Sequence, residues 1–140
     1  PADWNDPNPK GESQISTGPV MMAVNAGEMR VYTYGGKIGW RSPIEKGKWL
    51  RMTLHYIPSY RNDGLIEMWK DGKKILSVSG PNAKELDHNG KPMRPPYWKM
   101  GVYKWNWKEG RPATDTTCRQ LFIDDLKIAK GSDGLELVDP

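Results

Sequence analysis

Between residues 49 and 56 two sets of side chains alternate without interruption. Leu50, Met52, Leu54 and Tyr56 stand in one phase, and Trp49, Arg51, Thr53 and His55 in the other. A period of two is what a pleated strand with one buried face imposes on a sequence. The period recurs in other short stretches, and no window of helical length sustains a period near 3.6. Such a chain can bury its apolar phases by pairing strands and laying one sheet over another. The expected class is therefore all-β, with two antiparallel sheets packed face to face.

Turn chemistry sets the expected order of elements. Residues 1–19, rich in Pro, Asn, Asp, Gly and Ser, read as a loop anchored by Trp4. Strands over 20–24 and 29–34 flank Asn25-Ala26-Gly27 and form a hairpin. A weaker strand over 37–41 holds Trp40 and is broken by Ser42-Pro43. After a turn at 46–48 comes the strand of 49–56. Strands over 65–69 and 75–78 then flank Asp71-Gly72, a strong tight-turn pair. Residues 79–96, which include His88, read as a structured loop. The stretch 97–105 is expected to be a strand, as is 120–129. In the latter, Leu121 and Ile123 fall out of phase with Leu126 and Ile128, which implies a bulge at Asp124-Asp125. A last short strand is expected over 135–138. One core layer should comprise Leu50, Met52, Leu54, Ile66, Met68, Trp98, Met100 and Val102.

At 140 residues the chain is expected to be a single domain, 1–140, with one core. Seven Trp and six Tyr against one Phe argue against global disorder. They also favour half-wet surfaces, because each of these rings has a polar handle. Cys118 is the single cysteine, so neither an internal disulfide nor a cysteine-based metal site is expected. The net charge of +4 suits an acidic partner, but the cations are scattered rather than gathered in a run, which argues against nucleic acid. No stretch approaches the ~18 apolar residues of a membrane span, and no signal peptide is recognisable.

The stretch 97–105 carries the most chemistry. In strand phase, Trp98, Met100 and Val102 point one way, while Tyr97, Lys99, Tyr103 and Trp105 point the other. Gly101 leaves room for a ligand to approach the backbone. Two phenols, an ammonium and an indole suit an anionic sugar chain. They equally suit the open face of an antiparallel sheet, where aromatics and Lys cover their neighbours.

In order and motif the chain resembles the jelly-roll polysaccharide lyases, the group that includes heparin lyase I, glucuronan lyase and related alginate lyases. Gly47-Lys48-Trp49 looks like the opening of the family's Gly-x-Trp strand. Residues 63–73 look like its next hairpin, with Trp69 and the Asp71-Gly72 turn. Tyr97-Trp98-Lys99-Met100-Gly101-Val102-Tyr103 matches the Tyr-x-Lys-x-Gly-x-Tyr signature. The resemblance implies a jelly-roll sandwich and β-elimination on a uronate polymer. It further implies that Tyr103 acts as acid or base and that Lys99 holds the anionic substrate. The family also carries a Gln-x-His strand, and this chain contains none. The sheets are accordingly expected to be completed by an upstream segment or a second chain, or the chain is a shortened relative.

Two functions follow. The first is a lyase on an acidic polysaccharide, working without a cofactor, with Tyr103 and Lys99 catalytic. Arg51, His55, Glu67, Trp69, Tyr97 and Trp105 would bind substrate, with Arg51 beside Lys99 at the carboxylate and Trp69 and Trp105 stacking sugar rings. His55, Glu67 and Trp69 also suit simple packing and hydrogen bonding on a sheet face. The second function is a non-catalytic carbohydrate-binding module of the same fold, a lectin, an adhesin or a surface decoration. The expected location is extracellular or periplasmic for the first, and a virion surface is an alternative for the second.

Overall fold

A computed structural model describes residues 18–25, 27–86, 90–92, 97–102 and 117–138. The first hairpin forms where the turn chemistry places it. β1 (Val20–Asn25) pairs antiparallel with β2 (Glu28–Thr33), and Gly27 takes the positive φ of 78° that the tight connection needs. A single 3-10 turn at Tyr34–Gly36 leads into β3 (Lys37–Pro43), which extends two residues beyond the expected break. β4 (Met52–Ile57), β5 (Leu65–Lys70) and β6 (Lys73–Ser79) make the second sheet. In its Asp71-Gly72 turn both residues have positive φ, 51° and 78°, as a two-residue hairpin loop requires. Strand orders are β1-β2-β3 and β4-β5-β6, all antiparallel.

The two sheets meet over one apolar cluster. Val31 of β2 packs with Ile66 and Met68 of β5 and Leu76 of β6, flanked by Val20, Trp40, Met52, Leu54, Tyr56 and Ile75. The class is thus all-β, two sheets face to face, the sandwich architecture of jelly-roll domains. Met52, Leu54, Ile66 and Met68 lie in or against the core, as their phase requires, whereas Leu50, expected with them, lies before β4 and outside the cluster. Gly39 shows how closely the layers approach: a Cβ there would lie 2.8 Å from Leu76 Cδ1 and 3.0 Å from Thr33 Cγ2. It is also the residue skipped where β2–β3 pairing shifts between Val31 and Tyr32, since Val31 faces Trp40 and Tyr32 faces Ile38.

Three expectations are corrected. Trp98, Met100 and Val102 are exposed, at 57%, 45% and 48%, and residues 97–102 join neither sheet. Alternation specifies the two faces of a strand, but a strand persists only where its backbone finds a ladder. Here Pro95 and Pro96 precede the stretch with no N–H to donate, and Gly101 turns the backbone to a φ of 141°. Residues 120–129 also lie outside both sheets, with Leu121, Phe122, Ile123, Leu126 and Ile128 exposed. The phase slip there corresponds to a left-handed Asp125, φ 51°, whose N–H donates to Asp124 Oδ1 at 2.8 Å. Finally, 135–138 is helical: α1 (Gly134–Val138) closes with Leu137 N donating to Asp133 O. In so short a segment a two-residue alternation cannot separate strand from helix.

Candidate active site on the second sheet

β4, β5 and β6 turn one phase toward the core and the other away from it. Cross-strand pairing sets the second phase in two rows: Thr53, Trp69 and Lys74, then His55, Glu67 and Ser77. A shift in the β5–β6 register between Met68 and Trp69 makes this possible. Without it Leu76 would face Glu67 and Ser77 would face Ile66. The extra residue, Ile75, restores Leu76 to the core opposite Met68 and leaves Ser77 on the site side opposite Glu67.

Glu67 is the hub of this face, with its side chain 14% exposed. One oxygen, Oε2, accepts from His55 Nδ1 at 3.1 Å. The other, Oε1, accepts from Lys74 Nζ at 2.6 Å and from Ser77 Oγ at 3.5 Å. The Lys74 ammonium, and secondarily His55, hold the Glu67 carboxyl below the usual carboxylate range. An ionised carboxylate only accepts, so His55 Nδ1 must be the donor. In the neutral ring the lone pair then sits on Nε2. Lys74 also lies 4.9 Å over the centroid of the Trp69 ring, which is only 8% exposed yet outside the core cluster.

Arg51 enters this neighbourhood through its backbone. Its N–H donates to Asp71 Oδ1 at 3.0 Å, and Asp71 N donates to Arg51 O at 2.8 Å, which stitches the segment before β4 to the β5–β6 turn. Glu45 adds a second tie by accepting from Lys70 and from Lys48, the latter at 3.0 Å. Its carboxyl is held low, first by Lys70, and Lys70 is raised in turn by Glu45. Tyr56 is in the opposite phase, with its hydroxyl buried and unpartnered, and burial pushes this phenol up to about 12. A phenol so held stays neutral and is no base for this face.

Of the residues read from sequence, the structure brings together His55, Glu67 and Trp69, with Arg51 on the segment leading into β4. Lys99 lies 5.2 Å over its neighbour, the half-exposed Tyr97, on the segment that joins neither sheet. Tyr103, Trp105 and His88 lie outside the described residues. Lys74 and Ser77 had not been singled out. Lys74 was legible, because a two-residue Asp-Gly loop sets it directly across from Trp69; Ser77 was not, because its position depends on the bulge. Among the described residues, no three His, Cys, Asp or Glu gather as metal ligands would, and no helix is long and apolar enough to cross a membrane.

One sheet face of this all-β sandwich thus bears a carboxylate-oriented imidazole beside an ammonium-capped indole, a pairing that can accept or donate a proton. The family model described as polysaccharide lyase matches residues 3–127, and the chain belongs to that family. Neither a curated protein nor a solved structure matches it.

Proposed function

We propose that this polysaccharide lyase family domain cleaves a uronate-containing acidic polysaccharide by β-elimination on the face of β4–β6. The observation that carries the reading is the His55–Glu67–Lys74 array: an imidazole with a fixed tautomer beside a carboxylate neutralised from its far side. In the reaction a base removes the C5 proton of the uronate. The electron pair forms the C4–C5 double bond, the C4–O bond breaks, and the departing sugar oxygen takes up a proton. His55 Nε2 is the acceptor of the C5 proton in this scheme, and Glu67 stabilises the imidazolium that results. Tyr103, carried over from the family signature, returns a proton to the leaving oxygen. Arg51 and Lys99 neutralise the uronate carboxylate, which is what makes the C5 proton acidic enough to remove. Tyr97 and Trp105 stack sugar rings, while the ring of Trp69 is covered by Lys74. A polymeric substrate of this kind fits an extracellular or periplasmic protein.

The unsaturated uronate product absorbs in the ultraviolet, where the intact polymer does not, so glucuronan, alginate and heparin can each be assayed without labels. His55→Gln should abolish the signal on the polymer that the unmodified chain cleaves, and Tyr103→Phe should do the same while keeping the ring. Unchanged elimination by His55→Gln would remove His55 as the base.

A further inference from the structure

The loop joining β4 to β5 is built with more order than a connection needs. Asn82, 2% exposed, accepts from Ser59 N at 2.9 Å through Oδ1 and donates to Ile57 O at 2.9 Å through Nδ2. Asn82 N and Ala83 N both donate to Ser59 O, at 2.8 and 3.0 Å, and Gly80 N donates to Gly64 O at 2.9 Å. A Cβ on Gly64 would lie 2.5 Å from Gly80 O and 2.6 Å from Asn82 Nδ2, so the two loops are in backbone contact. Within this frame Ser59 Oγ donates to Asp63 Oδ1 and accepts from Arg61 N at 2.9 Å.

What the frame holds out is chemistry of another kind. Tyr60 is 48% exposed, with the Arg61 guanidinium 5.4 Å over its ring. The two residues and Asp63 line an open hollow of about 330 Å³ with Pro58, Ser59 and Ala83. That volume lies at the small end of ligand sites. An exposed ring offers a sugar a stacking surface. A guanidinium backed by that ring keeps its planar fork of donors for a carboxylate. The Asp63 carboxyl, held low first by the Ser59 hydroxyl, is an ionised acceptor for sugar hydroxyls.

We propose that Tyr60, Arg61 and Asp63 form a second saccharide subsite, which takes an acidic sugar ring of the polysaccharide at the end of the second sheet opposite the Asp71-Gly72 turn. The proposal rests on the reading of the chain as acting on an acidic polysaccharide. Tyr60 lies five positions after His55, a span of at most ~18 Å, so one oligosaccharide is long enough to reach both places. The loop is preorganised by Asn82 rather than by its ligand, and little ordering opposes binding.

A glucuronic acid tetrasaccharide and its neutral glucose counterpart are the probes. Titration should shift the Arg61 side-chain N–H resonance with the acidic probe and far less with the neutral one. Tyr60→Ala and Arg61→Ala should each weaken binding about tenfold, the scale of one charge-assisted hydrogen bond, with Arg61→Lys in between. Thermal midpoints should not move, because neither side chain holds the frame. The same titration on His55→Gln separates the two readings: an Arg61 shift that persists there upholds the subsite whatever becomes of elimination. An unshifted Arg61 resonance, or unchanged affinity in both alanine variants, would overturn it.

Discussion

Glu67→Gln keeps the shape of the hub and removes its charge, and its cost can be worked from its partners. Lys74 is half exposed, its side chain at 49%, and regains water when the pair is broken, so that ion pair contributes about 0.2–1 kcal/mol. The His55 contact falls from a charge-assisted to a neutral hydrogen bond, a loss of about 1 kcal/mol. Together these give about 1–2 kcal/mol, or roughly 3–7 °C in thermal midpoint for a domain of this size. The pH dependence has a definite sign. The folded Glu67 carboxyl lies below its unfolded value of ~4.3. Its contribution is therefore fully present above that value and is lost as the pH falls through the folded one. The difference in midpoint between the unmodified chain and Glu67→Gln should be full at neutral pH and shrink in acid. Elimination should fall by about 10²-fold in kcat, since glutamine no longer enforces one imidazole tautomer. Scanning calorimetry across pH and product absorbance measure the two effects. A midpoint difference that stays constant into strong acid, or an unimpaired kcat, would refute the reasoning.

Other outcomes follow from the core and its closures. Ile66→Ala, at a fully buried position, should cost about 2–5 kcal/mol in chemical denaturation, whereas Trp98→Ala, at an exposed one, should stay within about 0.5 kcal/mol; equal costs would place residues 97–102 in the core after all. Asn82→Ala strands the Ser59 N–H and the Ile57 carbonyl and should cost about 2–4 kcal/mol, readable in the same denaturation experiment. Gly39→Val forces atoms against Leu76 and Thr33 and should destabilise by about 1–3 kcal/mol, with partial recovery in a Leu76→Ala background. Raising salt should weaken binding of any acidic glycan, because the recognising charges are largely exposed; a salt-independent affinity would argue against an electrostatic contribution.

Local chemistry was enough for much of the fold. The Asn25-Ala26-Gly27 and Asp71-Gly72 turns set two hairpins, because few residues other than glycine and its short polar neighbours tolerate positive φ. The phase of Met52, Leu54, Ile66 and Met68 identified the core side of β4 and β5. Trp98, Met100 and Val102 alternate as well and yet are exposed. Periodicity reports which faces a strand would have, not whether another strand lies beside it. The site divided in the same way: His55 and Glu67 were legible as one phase of two strands, but their direct pairing across the ladder was not, since sequence carries no register between β4 and β5.

The amino-acid order by itself determined an all-β chain, its turns, the apolar phase of its better strands and its likeness to polysaccharide lyases. Tertiary structure alone decided the β5–β6 bulge, and with it the place of Ser77 on the site face. A regular ladder from the Asp71-Gly72 turn would put Leu76 beside Glu67 and bury Ser77 against Ile66. Burying a leucine rather than a serine hydroxyl favours inserting Ile75 out of register, because the apolar transfer exceeds the cost of one disrupted ladder pair. That preference exists only once the first sheet lays Val31 against Met68 and Leu76. The opposing layer, rather than any local signal, therefore placed Ser77 beside the carboxylate that orients His55.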